Sequence, residues 1–289
     1  MFDVILIDFS WIYNKYYYVA KVRPLRESNK PEDLKLQVYD MLRRFFILIE
    51  KSYPSSKILL VLDSPLATTD NFALNSEYKQ NRNKDEKKNV YKYFKEIVGM
   101  LSQKLSPKIN FIRAIGFEAD QVIAYLSEKY QERHKVLIFT GDKDLLQMTY
   151  YPNVEISDKY EKGMFLLKSD REIFEKFKNS KGEDFTRIST NKRDILKYRV
   201  LKGDQSDNLK SVFPRIRDVE IVSIIKNYWI DEEELTDIRI QDIIDDIKED
   251  DSKLAEKLKE HSSNWLTNFK IMNLYGLKDL PVKKVVKHG

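Results

Sequence analysis

Short apolar runs alternate with segments of helical periodicity along the first half of the chain. The apolar runs cover residues 4–7, 57–63, 110–113 and 135–140, and each is too short for an ordinary helix. Apolar side chains recur at the spacing of one helix face in residues 11–19, 32–51 and 117–131. This alternation predicts an α/β fold, with a mostly parallel central sheet and helices on both of its faces.

The pattern changes further along the chain. A helix is predicted from about residue 143, and a strand-like pair at about residues 153–157 and 163–168. From about residue 190 to the end the periodicity is helical. We therefore expect an α/β core over residues 1–189, which includes a basic segment at about 78–105, and a helical region over residues 190–289 that packs on the core.

Acidic residues follow each of the four predicted strands of the core. They are Asp8, Asp63, the pair Glu118 and Asp120, and the pair Asp142 and Asp144. The carboxyl ends of parallel strands meet at one edge of a sheet, which is where such sheets bind ligands. One aspartate at such a position is commonly a helix cap or turn residue, but four acidic strand ends are hard to explain in that way.

Carboxylates that crowd together repel one another unless a cation neutralises them. The chain has no cysteine and only three histidines, so oxygen atoms must provide most ligands. Such a donor set favours Mg²⁺ or Mn²⁺. Asp204 and Asp207 are three residues apart, so both can face one direction from a single turn, with a helix cap as the alternative interpretation.

Charge is nearly balanced but unevenly distributed. The 289 residues include 51 Lys and Arg against 46 Asp and Glu, a net charge of +5. Residues 78–95 concentrate lysine, arginine and aromatic side chains, a composition that suits phosphate contacts and base stacking, although a solvated helix is the simpler alternative. Residues 231–261 are strongly acidic, and we expect them to face away from any nucleic acid.

The amino terminus reads MFDVILIDFS, with no basic segment and too short an apolar run for a signal peptide or a membrane span. The absence of cysteine excludes disulfides and is consistent with a reducing compartment. We therefore expect a cytoplasmic protein with no membrane association, in the host-cell cytoplasm if the source is a phage.

Several motifs occur in a fixed order between residues 4 and 208. They are ILIDFS at 5–10, LVLD at 60–63, YKQNR at 78–82, EAD at 118–120, TGDKDLLQ at 140–147, YPNV at 151–154 and LKGDQSDN at 201–208. With these motifs the sequence resembles the flap endonuclease and 5′-3′ exonuclease family, most closely its branch of free-standing ribonucleases H from T-even phages. EAD alone is a weak signal, whereas GDKDLLQ followed at this separation by GDQSDN is a strong one.

The resemblance implies two Mg²⁺ ions, for which Mn²⁺ could substitute. The first would be held by Asp8, Asp63, Glu118 and Asp120, and the second by Asp142, Asp144, Asp204 and Asp207. Lys79 and Arg82 match the family's catalytic YKxxR motif. In the family this motif lies at the foot of a helical arch, which the resemblance places at about residues 78–105 of this chain. The implied nucleic-acid contacts are Lys15, Lys84, Lys87, Lys88, Lys92, Lys210, Arg215 and Arg217, and Trp11, Tyr13 and Tyr16 could offer a stacking face.

The activity implied is structure-specific hydrolysis at 5′ ends or 5′ flaps of DNA or RNA–DNA duplexes, as in primer removal during DNA replication. Implied partners are branched or nicked duplex DNA, RNA–DNA hybrids, a single-stranded 5′ flap, and replication proteins such as a sliding clamp or a single-strand-binding protein. The family works as a monomer, so we expect one here.

Two departures from the family pattern bear on these expectations. Many microbial members have an aspartate directly after EAD, where this chain has Gln121, so we expect altered metal occupancy at the first site. The glycine-rich hairpin that usually follows GDxSDN is replaced by LKSVFPRIR at 209–217, which argues against a K⁺ site. Three alternatives stay open: a PIN-type ribonuclease, a non-catalytic structure-specific DNA-binding protein, and a metal-dependent phosphohydrolase acting on a small molecule.

Overall fold

The computed structural model describes residues 1–22, 31–64, 69–80, 90, 92–169, 172–173, 191–230 and 235–285. The chain forms two compact units. The sheet unit consists of Met1–Thr68, Asn83–Lys168 and Leu274–Gly289, and the helical unit consists of Thr69–Arg82 and Ser169–Asn273. This division differs from the sequence prediction, because residues 69–82 belong with the helical unit and the last residues return to the sheet unit.

A seven-stranded sheet organises the sheet unit. Its strands are β1 (Val4–Asp8), β2 (Lys57–Val61), β3 (Ile109–Ala114), β4 (Val136–Phe139), β5 (Val154–Glu161), β6 (Met164–Leu167) and β7 (Val282–Lys284). They lie in the order β6-β5-β4-β1-β2-β3-β7. The five central strands are parallel and the two edge strands are antiparallel to their neighbours, which confirms the predicted mostly parallel sheet.

The helices fall where the periodicity predicts them. Along the described chain they are α1 (Phe9–Val22), α2 (Pro31–Ser52), α3 (Thr69–Leu74), α4 (Phe94–Lys104), α5 (Ala119–Gln131), α6 (Asp194–Lys202), α7 (Asp218–Ser223), α8 (Asp237–Asp250), α9 (Ser252–Glu260) and α10 (Ser262–Met272). The helix predicted from about residue 143 is confirmed, and it is the 3₁₀ helix Asp144–Tyr150.

Helices cover both faces of the sheet, so its central strands are buried. All five residues of β1 are buried, and Ile5, Leu6 and Ile7 have no exposed surface. Phe9 of α1 lies 6.2 Å from Phe46 of α2 and 5.2 Å from Phe111 of β3, between ring centroids. Burying each such ring contributes about 2–3 kcal/mol, so this aromatic cluster fixes the first turn of α1 beside the end of β1.

Helix α4 belongs to this core and not to a free arch. Ile97 and Leu101 are fully buried, and Glu96 accepts a bond from Lys35 of α2 at 2.9 Å. The helical prediction for the second half of residues 78–105 is therefore confirmed, but the arch interpretation then rests on the residues before α4. Of these, residues 81–89 and 91 lie outside the described residues.

The helical unit has its own core around Trp229 and Trp265, whose ring centroids are 5.5 Å apart. Its helices α6 and α7 are joined by the hairpin segment 203–217, which contains GDQSDN. The buried Asn268 of α10 donates to the carbonyls of Val200 at 2.9 Å and Lys210 at 2.8 Å, so it ties the hairpin to α10.

Two lysines of the basic carboxyl-terminal segment lie in a short strand. Lys283 and Lys284 lie in β7, which pairs with β3 at the edge of the sheet. A three-residue strand with the sequence VKK has no clear periodicity, so the sequence does not reveal it. No helix in the part of the chain that the structure describes is long and apolar enough to cross a membrane.

Candidate metal centre

Asp8 stands at the carboxyl end of β1 and is buried. Its Oδ1 accepts the backbone N–H of Trp11 at 3.0 Å, and its Oδ2 accepts the hydroxyl of Thr140 at 3.0 Å. Burial, together with the charges of Asp63 and Asp142, raises the pKa of Asp8 to about 7. The predicted convergence of acids from separate strand ends is therefore visible, because Asp63 and Asp142 both raise the pKa of Asp8 through their charge.

Asp63 follows β2 and connects two helix starts. Its Oδ2 accepts the hydroxyl of Ser10 at 2.6 Å, and its Oδ1 accepts the backbone N–H of Ala119 at 2.9 Å. The first turns of α1 and α5 therefore both orient this carboxylate. Anions at the amino-terminal ends of helices are stabilised by the helix dipole and by the unpaired N–H groups there.

Glu118 is the residue before α5, and Gln121 holds its backbone. The Gln121 Oε1 accepts the N–H of Glu118 at 2.9 Å, the reach-back bond of a capping box, while the Gln121 N–H donates to Asp120 Oδ1 at 2.7 Å. Where relatives often carry another acid, this chain has a neutral residue that fixes the helix start. The expected change in metal occupancy stays a prediction.

Asp142 and Asp144 follow β4, and Thr140 joins them to Asp8. The Thr140 hydroxyl donates to Asp8 and also accepts the N–H of Asp142 at 3.0 Å, while Asp142 Oδ1 accepts the N–H of Asp144 at 2.9 Å. Thr140 is 1% exposed. Sequence analysis missed both Thr140 and Ser10; their signal is a hydroxyl residue two positions from an acid at a strand end.

These carboxylates fit a hard divalent cation by donor type, since all of them supply oxygen. Within the described residues, no three Asp, Glu or His side chains form a group that could hold a metal ion as they stand. Several of the oxygens instead accept the local N–H and hydroxyl groups described above, which is how crowded carboxylates are satisfied inside a protein. Metal binding would therefore need some of these side chains to turn.

In the helical unit, Asp204 has the role of a cap. Its Oδ1 accepts the N–H and the hydroxyl of Ser206, at 2.8 Å and 2.6 Å, and its Oδ2 accepts from Arg199 at 2.7 Å. Burial alone would raise the pKa of Asp204, but Arg199 and Ser206 bring it below its ordinary value. The helix cap, which was the alternative interpretation of this residue, is therefore observed for Asp204.

Asp207 pairs with Lys79 in the same unit. The Nζ of Lys79 lies 3.8 Å from Asp207 Oδ2, and their side chains are 14% and 13% exposed. A predicted catalytic lysine is thus next to a predicted metal ligand. That Asp204 and Asp207 share an ion with Asp142 and Asp144 stays a prediction, because the two pairs belong to different units.

The predicted nucleic-acid residues have mixed outcomes. Arg82, Lys84, Lys87 and Lys88 lie outside the described residues. The hairpin residues Lys210, Arg215 and Arg217 are exposed, and Lys92 is exposed beside Tyr93. Lys15 is also exposed, and its Nζ donates to the Asp158 carbonyl at 3.2 Å.

The predicted stacking face is largely packed inside the protein. Tyr13 is 1% exposed and its hydroxyl donates to the Val90 carbonyl at 2.7 Å. Tyr16 packs against Phe45, with ring centroids 5.7 Å apart. Tyr13 is therefore buried in the core, whereas Tyr16 and Trp11 are partly buried against it. Trp11 lies beside the acids, since its N–H donates to Asp8.

The family model of the 5′-3′ exonuclease N-terminal resolvase-like domain matches residues 3–178. The chain belongs to this family. A 5′-3′ exonuclease of Aquifex aeolicus is 30% identical over 194 residues, which are 66% of this chain and 59% of that protein. One from Mycoplasmopsis pulmonis is 28% identical over 210 residues, 72% of this chain and 61% of that protein. The match thus spans about three fifths of these relatives' length.

Solved structures agree on the fold. The bacteriophage T5 5′-exonuclease with bound zinc ions has a TM-score of 0.65 at 15% identity, covering 94% of this chain and 89% of that one. The T5 flap endonuclease in complex with DNA and metal ions has a TM-score of 0.61 at 15% identity, with the same coverage. The family and fold predicted from the motifs are confirmed.

Proposed function

We propose that this protein is a metal-dependent 5′ nuclease that hydrolyses phosphodiester bonds at 5′ ends or 5′ flaps of DNA and of RNA–DNA duplexes. The observation that carries the proposal is the group of Asp8, Asp63 and Asp142 from three strand ends, where burial and the charges of Asp63 and Asp142 raise the pKa of Asp8 to about 7. Perturbed carboxylates of this kind are typical of sites built for a cation or for catalysis. Relatives named 5′-3′ exonucleases support the same activity.

The metal would be Mg²⁺, with Mn²⁺ as a substitute, and two ions are proposed. Asp8, Asp63, Glu118 and Asp120 would hold the first, and Asp142 and Asp144 would contribute to the second, where Asp204 and Asp207 stay predictions. When bound, such ions lower the pKa of a water molecule and stabilise the leaving oxygen. T5 relatives crystallised with divalent metals support a metal-dependent activity.

Side chains of the protein would orient the metal-binding carboxylates and neutralise charge on the phosphate. Ser10 and Thr140 donate hydrogen bonds to the carboxylates of Asp63 and Asp8 and so help to orient them. Lys79 and Arg82 would neutralise charge on the scissile phosphate, as cationic side chains do in phosphoryl transfer. No side chain of the protein needs to act as the nucleophile.

The substrate would be recognised by its shape and phosphate backbone. Arg215 and Arg217 of the hairpin are exposed, and the side chain of Lys210 is 71% exposed, so all three can reach duplex phosphates. The acidic helix α8 presents exposed carboxylates, which would repel DNA. We further propose a monomer that removes primers or processes flaps in DNA replication, in the manner of a phage ribonuclease H, together with a sliding clamp or single-strand-binding protein.

The decisive experiment compares labelled 5′-flap DNA, an RNA–DNA hybrid, single-stranded RNA and a phosphomonoester, each with Mg²⁺, Mn²⁺ and EDTA. We expect cleavage of the flap or the hybrid, dependent on the metal, to 5′-phosphate products. Asp142→Asn should abolish cleavage while leaving binding of the flap nearly intact, and Asp242→Asn on the exposed face of α8 should change neither.

Each other outcome would indicate a different function for the protein. Cleavage of single-stranded RNA alone would indicate a PIN-type ribonuclease, and turnover of the phosphomonoester alone a small-molecule phosphohydrolase. Flap binding without any cleavage would indicate a DNA-binding protein. Full cleavage by Asp142→Asn would overturn the proposed site.

A further inference from the structure

Trp11 lies directly against Gly141, the residue that precedes Asp142. A Cβ atom added to Gly141 would stand 2.3 Å from the Trp11 Nε1 and 2.7 Å from its Cε2, which is closer than any real contact. Gly141 is not among the glycines with positive φ. The residue is therefore glycine because the indole leaves no room for a side chain, and not because the backbone is left-handed.

The indole of Trp11 is itself held in place from two strands. Its ring meets the ring of Phe139, in β4, edge-on with centroids 5.3 Å apart. The Nζ of Lys15 lies 4.9 Å from the centre of the Trp11 ring, and it donates to the Asp158 carbonyl of β5 at 3.2 Å. Contacts of both kinds are attractive and depend on geometry, so together they favour one position of the ring.

Trp11 therefore contacts both sides of the predicted metal centre. Its backbone N–H donates to Asp8 Oδ1 at 3.0 Å, and its side chain abuts the loop that carries Asp142. The Thr140 hydroxyl also links these two acids, because it donates to Asp8 at 3.0 Å and accepts the Asp142 N–H at 3.0 Å. Lys15 stands over the ring, so a base could not stack there without displacing it, and this contact favours a supporting role for Trp11.

We propose that Trp11 is a positioning residue, which holds the Gly141–Asp142 loop against Asp8 so that the two carboxylates can bind metal together. The inference rests on the proposed function, because it assumes that these carboxylates bind a divalent cation. Residues that orient metal ligands without touching the metal typically change metal affinity by about 10–100-fold when they are removed. The effect expected of Trp11 is of this kind.

The test uses four variants: Trp11→Phe, Trp11→Ala, Gly141→Ala and the double variant Trp11→Phe with Gly141→Ala. Mg²⁺ and Mn²⁺ binding is measured by calorimetry and by the rise in Tm on adding the metal, and flap cleavage is measured against Mg²⁺ concentration. Tyr18→Phe is the matched control, because Tyr18 lies on the same helix and packs on Tyr17. Circular dichroism checks that each variant is folded.

We expect Trp11→Ala and Gly141→Ala each to weaken metal binding about tenfold or more. The cleavage rate at saturating Mg²⁺ should fall much less than that. The smaller ring of Trp11→Phe should leave room for the added methyl group, so the double variant should bind metal better than Gly141→Ala alone. Tyr18→Phe should match the wild-type protein.

Two results would overturn the inference. One is unchanged metal affinity in folded Trp11→Ala, and the other is a double variant in which the two losses simply add. Failure of the proposed function has a different signature, in which the wild-type protein binds Mg²⁺ with Trp11-dependent affinity but cleaves none of the nucleic acids.

Discussion

Lys79 and Asp207 are joined at two points. The backbone N–H of Lys79 donates to the Asp207 carbonyl at 3.0 Å, and the Lys79 Nζ lies 3.8 Å from Asp207 Oδ2. Lys79 has a left-handed backbone with φ of 55°, a conformation that costs a non-glycine residue about 1 kcal/mol or more. The GDQSDN turn therefore holds the first cation of YKQNR in a conformation that it would not adopt alone.

Replacing Lys79 tests its proposed role toward the scissile phosphate. Lys79→Ala should lower kcat for flap cleavage about 100-fold or more, because a cation aimed at developing charge is lost. Flap binding should fall much less, since other basic residues also contact phosphates. Lys226→Ala, which removes an exposed lysine of the same unit, is the control. Equal losses in binding and in kcat would show that Lys79 only binds DNA.

The raised pKa of Asp8 predicts how stability depends on pH when metal is chelated. The folded protein keeps a proton on Asp8 up to about pH 7, whereas the unfolded chain releases it near pH 4. The native state binds more protons between these values, so the free energy of unfolding should fall as pH rises through this window and then level off. Urea denaturation in EDTA at several pH values measures the slope.

Asp8→Asn should remove most of that slope. At pH 8 in EDTA, the variant should be more stable than the wild-type protein by about 2–4 kcal/mol, because it no longer buries a charge and no longer experiences repulsion from Asp63 and Asp142. The same substitution should abolish metal-dependent cleavage. A wild-type protein with a flat profile between pH 4 and pH 7 would show that Asp8 ionises normally.

Sequence reasoning reached the acids of the site but not what orients them. Asp8, Asp63 and Asp142 are recognisable because each follows an apolar strand, and strand order places their ends together. Nothing in the sequence distinguishes Thr140 from other hydroxyl residues, because its role depends on its hydrogen bonds with Asp8 and Asp142. The contact of Trp11 with Gly141 is likewise invisible in sequence, because it depends on the packing of α1 against the end of β4.

The limits of periodicity explain the remaining differences in the fold. A period of 3.6 residues cannot separate about two turns of α-helix from the 3₁₀ helix Asp144–Tyr150. Residues 69–82 join the helical unit through contacts distant in sequence, such as the bond from Asn208 to the Glu77 carbonyl at 3.0 Å. No local pattern records such contacts.

Two substitutions of Gln121 distinguish its role in the helix cap from an effect on metal binding. Gln121→Ala should lower the free energy of unfolding by about 1 kcal/mol, because the Glu118 N–H loses its acceptor. Gln121→Glu should keep the cap and add a carboxylate beside the predicted first site. We expect it to lower the Mg²⁺ concentration for half-maximal cleavage several-fold, whereas Gln121→Ala should raise it. Identical Mg²⁺ profiles for the two variants would place residue 121 outside the metal centre.

Substitutions at two glycines test the hairpin that follows α6. An added Cβ would clash at Gly203 but would meet nothing at Gly99. Gly203 has φ of 72°, and an added Cβ would stand 2.5 Å from the Leu209 carbonyl oxygen. Gly203→Ala should therefore destabilise the protein by roughly 2 kcal/mol or more, since strain and clash act together. It should also weaken duplex binding, because Lys210, Arg215 and Arg217 lie in the same hairpin.

Gly99→Ala is the matched control for this substitution. Gly99 lies inside α4 with nothing within 4 Å of an added Cβ, so alanine there should stabilise the protein by about 0.5–1 kcal/mol. Thermal and urea denaturation measure both variants, and duplex binding is followed by fluorescence anisotropy. If Gly203→Ala proves as stable as Gly99→Ala, the hairpin is free to shift. If it is destabilised but binds duplex normally, the hairpin does not form the nucleic-acid surface.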